Sequence, residues 1–246
     1  MVDLFEEVEE QLRSDRYKTL AQKAAPWVVG LLGAALVAAL AVWGWQSYTT
    51  KVTSEASEKY VEAVQAFGEN RPDAAIKLWE EVAKSNAPGY KALALMQLGA
   101  VHQAKNEIKE AVRLYDEAGV AAKSPLVADA ARLKSALALL DTAAYKDLEA
   151  RLKPLTEKDR PYRAEAREAL AFAKLLAGDE AGAKADFALI EGMLDASEST
   201  RQRAGAAVAL IESGGAKALP AAVKAAAALP PSALAPPPQP QAPGPQ

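Results

Sequence analysis

The chain has 246 residues, of which 50% are hydrophobic but only 6% aromatic, and 29 basic residues stand against 32 acidic ones. Because the chain has no cysteine and one histidine, His102, its composition excludes disulfide scaffolds, cysteine nucleophiles, iron–sulfur clusters and Cys/His zinc sites. A net charge of -3 argues against a general nucleic-acid-binding protein, which usually has a basic face. The alanine-rich composition, poor in β-branched residues, predicts an all-α protein.

The first 23 residues form a charged N-terminal stub. Residues 1–23 mix acidic and basic side chains, and Asp3 precedes Glu6 by three positions, a spacing typical of a helix N-terminus. We expect a short, mostly solvated helix. A stub that docks on a cytoplasmic partner is the alternative interpretation.

Residues 24–50 contain no charged residue, and their core, 27–45, is continuously apolar. At a rise of about 1.5 Å per residue this core spans about 28 Å, close to the hydrocarbon thickness of a membrane. The residues that match an interfacial aromatic belt are Trp27 at one end and Trp43, Trp45 and Tyr48 at the other. Pro26 suits the first turn of a helix. The segment is therefore predicted to be a single transmembrane helix.

A cleaved signal peptide is the competing interpretation of this segment. The sequence Ala39-Leu40-Ala41 fits a small-x-small cleavage pattern. However, the preceding segment is long and acidic rather than short and basic, and the apolar run exceeds a typical signal-peptide core. These features favour an uncleaved anchor.

Lysine and arginine predict the orientation of this anchor. Four basic residues precede the span, whereas only Lys51 and Lys59 follow it within a similar distance. The bias predicts a bacterial inner-membrane protein with a cytoplasmic N-terminus and a periplasmic C-terminal domain.

A stripe of small residues, Gly30, Ala34 and Ala38, runs along the span. Such a stripe allows another membrane helix to approach closely. An alanine-rich span also produces the spacing by chance, so both interpretations stay open.

Residues 53–228 show apolar residues at three- and four-residue steps, interrupted by short clusters of turn-forming residues. No alternating strand pattern competes with helix in this region. The pattern predicts helices near 53–69, 73–85, 89–105, 108–121, 126–141, 146–153, 162–177, 180–194, 199–212 and 216–228. The tail, residues 229–246, is rich in proline and free of charge, which predicts disorder.

Four of the predicted helices share one pattern, a small residue followed by a bulky one four positions later and an apolar one three positions after that. The matches are Ala75-Trp79-Val82, Ala111-Tyr115-Ala118, Leu148-Leu152-Leu155 and Ala183-Phe187-Ile190, with starting positions 36, 37 and 35 residues apart. The third match departs most, since it has leucine where the small and aromatic residues belong. This period and pattern resemble the tetratricopeptide repeat, whose stacked helix pairs form a superhelix with an inner groove.

The first helix of each predicted pair presents one apolar face that could line such a groove. The candidate partner or client residues are Tyr60, Val64, Phe67, Leu93, Met96, Ala100, Leu133, Leu137, Leu140, Phe172 and Leu175. An apolar surface that contains methionine suits varied contacts with extended or partly folded chains. The alternative is that these residues only pack against neighbouring helices, because a register error of one residue exchanges groove and core.

The complete arrangement resembles a bacterial family, the ancillary subunits of the SecYEG translocon (YfgM-like proteins), in its alphaproteobacterial form. The similarity covers roughly residues 1–212 and includes the stub and span, DLFEEVEEQLRSDRYKTL and PWVVGLLGAALVAALAVWGWQSY. The resemblance implies association with the translocon and with a membrane-anchored periplasmic chaperone, and contact with emerging secretory proteins. The expected protein is a non-catalytic scaffold with no cofactor, metal, nucleic-acid or small-molecule ligand.

Two rival functions stay open. A cell-envelope assembly scaffold, serving division or peptidoglycan synthesis, would need the same fold and differ only in its partners. An enzyme is disfavoured because no nucleophile, base and orienting residue occur at a recognisable spacing. His102 lies on a first helix and is expected to pack or to donate a hydrogen bond.

Overall fold

The computed structural model describes the backbone of residues 3–227 and the side chains of residues 23–226. It confirms the all-α prediction, since residues 3–227 contain ten α-helices and no strand. The helices are α1 (Asp3–Gly68), α2 (Pro72–Ala83), α3 (Pro88–Ala104), α4 (Ile108–Ala121), α5 (Pro125–Ala138), α6 (Tyr145–Leu152), α7 (Arg163–Leu176), α8 (Glu180–Glu191), α9 (Glu198–Glu212) and α10 (Leu219–Ala227). Two short 3-10 helices, Lys153–Thr156 and Gly215–Ala218, follow α6 and precede α10.

The predicted helix ends from α2 to α9 agree with the structure to within three residues. The N-terminal helix does not agree, because the stub, the span and the first repeat helix were predicted as separate elements and are continuous in α1. Pro26 therefore lies inside a helix rather than at a first turn. No proline or glycine occurs between Gly44 and Gly68, and adding a residue to an existing helix is easier than starting a new one.

The chain divides into two compact units, Met1–Ser54 and Glu55–Gln246. One helix segment among the described residues, Lys23–Gly68, is long and apolar enough to cross a membrane. Its large apolar side chains are exposed, as shown by Trp27 at 82% and Leu31 at 72%. An exposed apolar helix of this length suits a lipid environment and not an aqueous one. The predicted tail, residues 229–246, lies outside the described residues.

The second unit consists of consecutive helix pairs. The first helices of the pairs are the end of α1, α3, α5 and α7, and the second helices are α2, α4, α6 and α8. Each helix from α2 to α8 packs against the next α-helix in the chain. Helices two places apart in the chain also meet, since α3 packs on α5 and α7 packs on α9. This is the nearest-neighbour packing of a helical repeat protein.

The turn inside three of the four pairs has one geometry. The residue two positions after the end of the first helix has a positive φ in each of these turns. The values are 59° at Asn70, 59° at Asn106 and 88° at Gly178. The next backbone N–H donates to a carbonyl five residues earlier, as Glu107 does to His102 over 2.9 Å. Asparagine and glycine tolerate this left-handed cap better than other residues. The short turn reverses the chain so that the second helix returns along the first.

The small-and-bulky pattern forms the core of these pairs. Trp79, Tyr115 and Phe187 are at most 2% exposed. Gly99 on α3 permits the closest approach, because an added Cβ would lie 2.7 Å from the Tyr115 ring. In the third pair, Leu152 occupies the aromatic position and is fully buried.

Candidate partner-binding surface

The eleven apolar residues predicted to line a groove fall into three classes of exposure. Val64, Phe67 and Leu137 are exposed, at 46%, 52% and 44%. The half-buried members are Tyr60, Leu93, Met96, Ala100, Leu140 and Phe172. The first helices α1, α3, α5 and α7 thus all present apolar atoms to solvent. We refer to these nine residues as the first-helix surface.

The remaining two residues, Leu133 and Leu175, are core residues, so the structure does not place them on the first-helix surface. Leu133 is 7% exposed and packs in a cluster with alanines of α7 that include Ala166 and Ala169. Leu175 is 2% exposed and packs with Phe187 between α7 and its neighbours. Alanines on the neighbouring helices allow a close approach, and this approach covers both leucines. The burial of each leucine therefore depends on a helix other than its own.

Tyr60 ties the end of α1 to α3 within the first-helix surface. Its hydroxyl accepts a hydrogen bond from Gln97 Nε2 over 3.1 Å, and its ring lies 5.9 Å from the ring of Tyr90. The Tyr90 hydroxyl in turn accepts from Ser57 Oγ over 2.8 Å. These contacts fix the side of α1 that carries Val64, so the exposed valine belongs to an ordered surface.

Two aromatic residues of the first-helix surface also contact the buried aromatic residues of their pairs. The Phe67 ring lies 5.5 Å from that of Trp79. The Phe172 ring meets Phe187 edge to face at 4.9 Å. Both outer rings therefore rest on the core, which lowers the entropy lost when a partner packs on them.

Polar contacts between neighbouring repeats were absent from the sequence-based prediction. Glu168 on α7 is 7% exposed and accepts two hydrogen bonds from Arg203 on α9, each of 2.7 Å. Asp116 on α4 accepts from Arg151 on α6 over 2.9 Å and from the buried Ser135 hydroxyl over 2.6 Å. Each of these two carboxylate–arginine pairs is separated by 35 residues. A search for opposite charges one repeat length apart would have found both.

Asp129 forms the most buried ionic contact among the described residues. The side chain is 0% exposed, and its Oδ1 accepts from Arg160 over 2.6 Å and from Arg132 over 3.1 Å. Arg132 also donates to the carbonyl of Gly119 on α4. Asp129 therefore connects α5 with the turn before α7, and Arg132 connects α5 with α4.

Two ionisable groups near the core have displaced pKa values. A hydrogen bond from Lys174 to Asp186, 2.6 Å long, raises the pKa of Lys174 above 10.5. Burial raises the pKa of the Tyr115 hydroxyl above 10.0, and this hydroxyl donates to Gln103 Oε1 over 3.0 Å. Both groups hold pairs of helices together, since Lys174 and Asp186 join α7 to α8 and Tyr115 and Gln103 join α4 to α3.

The remaining candidates from the sequence are His102 and the three small residues of the predicted membrane helix. His102 Nδ1 shares a hydrogen bond with a carboxylate oxygen of Glu107 at the turn between α3 and α4, which matches the hydrogen-bonding role expected of it. Gly30, Ala34 and Ala38 are exposed on α1, and their role in membrane helix packing stays a prediction. Among the described residues, no group of three or more acidic or histidine side chains is arranged to hold a metal ion.

Comparison with known proteins supports the repeat assignment. No curated protein and no solved structure matches the chain. A family model described as a tetratricopeptide repeat-like domain matches residues 18–207. Domains of this class are generally non-catalytic scaffolds for protein–protein interaction. Because the match covers more than half of the chain, the protein belongs to the tetratricopeptide repeat-like domain family.

Proposed function

We propose that the protein is a single-pass scaffold of the bacterial inner membrane, with its N-terminus in the cytoplasm and its repeat domain in the periplasm. In this role it associates with the SecYEG translocon and a membrane-anchored periplasmic chaperone. The first-helix surface contacts secretory proteins as they emerge. The scaffold has no chemistry of its own.

The exposure of apolar side chains on the first helices carries this proposal. Val64, Phe67 and Leu137 are between 44% and 52% exposed in a domain whose family serves protein–protein interaction. Half-buried Met96 adds a flexible side chain that adapts to different partners. Small apolar patches of this kind suit brief contacts with many unfolded segments rather than one stable complex.

The membrane helix and its flanking charges support the proposed location. One N-terminal helix is long and apolar enough to span a membrane. More lysine and arginine residues precede the apolar run than closely follow it, which favours a cytoplasmic N-terminus. A fusion at residue 227 to a reporter active only in the periplasm tests this topology. The expected result is an active reporter, and an active cytoplasmic reporter instead would contradict the proposal.

We propose a role in protein translocation because the stub and span resemble those of the YfgM-like family. Partner identity separates this role from a cell-envelope assembly scaffold. The decisive experiment is purification of the tagged full-length protein from bacterial membranes in mild detergent, followed by mass spectrometry. Translocon subunits, a periplasmic chaperone and secretory proteins are the expected partners.

A pair of matched variants links recovery of those partners to the surface. Leu137→Arg adds charge to the first-helix surface, whereas Leu189→Arg adds the same charge at a 56% exposed leucine on the second helix α8. We expect Leu137→Arg to reduce recovery of secretory proteins about tenfold, since burying an unpaired charge opposes binding. Leu189→Arg should resemble the unchanged protein. Equal recovery in both variants, or recovery of cytoplasmic proteins alone, would contradict the proposal.

A further inference from the structure

The last described helix, α10, departs from the pairing seen in the rest of the repeat domain. A second helix would run back along α9, as α8 does along α7. Instead, the segment Gly215–Ala226 lies at 90° to α9, and α10 packs on α7. The bend occurs at Gly214, whose φ of 78° is a left-handed conformation that glycine adopts readily.

The position of α10 brings it to one end of the first-helix surface. A cavity of about 360 Å³ lies between α10, the C-terminal end of α7 and the turn that joins α5 to α6. Leu140, a member of the first-helix surface, and Leu176 line one side of it. Pro220, Val223 and Lys224 of α10 line the other side. One helix of the chain thus covers apolar atoms that would otherwise be open to a partner.

The sequence of α10 explains why this helix packs at the site and why it is bound there only weakly. Leu219 is half-buried and packs against the core cluster that also receives Phe172. Val223 is half-buried, while Ala221, Ala222 and Ala225 are exposed. Fully burying a side chain of the size of valine or leucine contributes about 1.5–3 kcal/mol, and both anchors of α10 are only partly buried. The helix is therefore docked through few contacts.

We propose that α10 is an internal ligand of a helix-docking site formed by the C-terminal end of α7 and the turn that joins α5 to α6, and that partners reach this site by displacing it. The fitting partner is a short helix with small and branched apolar residues, like the LPAAVKAAA of α10 itself. The part of this inference that concerns partners rests on the proposed scaffold function. The docking of α10 in this site does not.

A partner helix would displace α10 by competing with it for the same site. Because α10 is covalently attached, its effective concentration near the site is high, in the millimolar range for a short flexible link. A free helix therefore binds with an apparent affinity reduced by the fraction of molecules in which α10 is released. Weakening α10 should increase that fraction and tighten binding of the free helix.

A labelled synthetic peptide with the sequence of residues 215–230 is the probe for this site. Binding is measured by fluorescence anisotropy to the full-length protein in mild detergent. Val223→Asp places a charge in the α10 contact, and the matched variant Ala221→Asp places the same charge on the exposed side of the same helix. We expect Val223→Asp to bind the probe about tenfold more tightly than the unchanged chain or Ala221→Asp.

Chemical crosslinking gives a second readout that does not depend on a charge substitution. Because the natural chain has no cysteine, a Leu176→Cys/Val223→Cys double variant can be joined by a short bis-maleimide without side reactions at other thiols. We expect an intramolecular crosslink and loss of probe binding after it forms. Circular dichroism checks that the helical content of each variant is unchanged.

Three results would overturn the proposal: no probe binding to folded Val223→Asp, equal binding to the Val223→Asp and Ala221→Asp variants, or unchanged binding after crosslinking. None of these results concerns the partners recovered from membranes. Conversely, a failure to recover translocon or secretory proteins would remove the proposed function and leave the docking of α10 intact. The two hypotheses therefore fail in different experiments.

Discussion

The pairs α3–α4 and α5–α6 show two ways of holding a helical repeat together. In the first pair, Gly99 and the 1% exposed Tyr115 fit one another closely, and a left-handed Asn106 makes a tight turn. In the second pair, α6 has eight residues where α4 has fourteen, and leucines replace the small and aromatic residues. A shorter helix offers less apolar surface to bury.

Ionic contacts accompany this reduced packing in α5–α6. Arg151 on α6 reaches Asp116 in the preceding pair, and Asp129 on α5 is held by two arginines. The strength of an ionic contact depends on its geometry and on its exposure to water, whereas the strength of apolar packing depends mainly on how well the side-chain shapes fit. The comparison indicates that a repeat that departs from the family pattern keeps its place through contacts with its neighbours. Three predictions test this difference, and a fourth concerns the α7–α8 pair.

The largest effect is expected from removing the aromatic residue of α3–α4. Tyr115→Ala should lower the free energy of unfolding by about 3–5 kcal/mol, because it leaves a cavity in a packed core. Tyr115→Phe removes only the hydroxyl that donates to Gln103 and should cost about 1 kcal/mol. Urea unfolding of the full-length protein in detergent, followed by circular dichroism, measures both. Equal effects would show that the ring is not the main support of this pair.

The corresponding test of α5–α6 removes its buried acid. Asp129→Ala leaves two arginines without their partner, but these are 47% and 30% exposed and can turn toward water. We therefore expect a loss of about 2–3 kcal/mol, below that for a fully buried pair. Asp147→Ala, at an exposed acid on α6, removes the same charge and should change stability little. A small effect of Asp129→Ala in the same urea experiment would mean that apolar packing alone holds this pair.

A single methyl group tests the close approach in α3–α4. Gly99→Ala places a Cβ 2.7 Å from the Tyr115 ring, and the expected loss is about 1–2 kcal/mol even though alanine favours helix. Gly89 lies on the same helix with open space around its Cα, so Gly89→Ala should be neutral or stabilising. Thermal unfolding of the two variants side by side measures the difference. A stabilised Gly99→Ala protein would show that Tyr115 moves aside freely.

The smallest expected effect concerns alkaline pH and the α7–α8 pair. Because Asp186 raises the pKa of Lys174 above its unfolded value of 10.5, the ion pair contributes fully below that pH. Its contribution is lost as the pH rises through the folded pKa. The raised pKa of Tyr115 acts in the same direction above 10.0. Lys174→Met should therefore lose less stability between about pH 10 and pH 12 than the unchanged chain, and an equal loss in the two proteins would contradict this assignment.

The sequence was sufficient to predict those features that depend on local patterns. Helix ends are marked by residues such as Pro88, Asn106 and Gly178, which act within a turn of their own position. The repeated small and bulky residues indicated which faces meet, and the apolar run indicated a helix that is long and apolar enough to cross a membrane. Each of these signals lies within one helix or one pair.

Features that depend on more distant parts of the chain were not predictable in the same way. Leu133 was assigned to a groove because its own helix cannot show that alanines of α7 cover it. The ion pair between Glu168 and Arg203 joins two repeats, so neither residue is distinctive alone. The bend that brings α10 onto α7 occurs at Gly214, and the sequence of α9 alone does not show where the next helix will pack. Surface exposure is therefore predicted less well than helix position.

We propose above that partners bind the first helices of a membrane-anchored repeat domain. The most direct test incorporates a photoactivatable amino acid at Leu137 or at Leu189 of the full-length protein in living bacteria, with both sites well exposed. We expect crosslinks to secretory or membrane-associated partners from position 137 and few from position 189. Equal crosslinking from both positions, or crosslinks from position 189 alone, would contradict it.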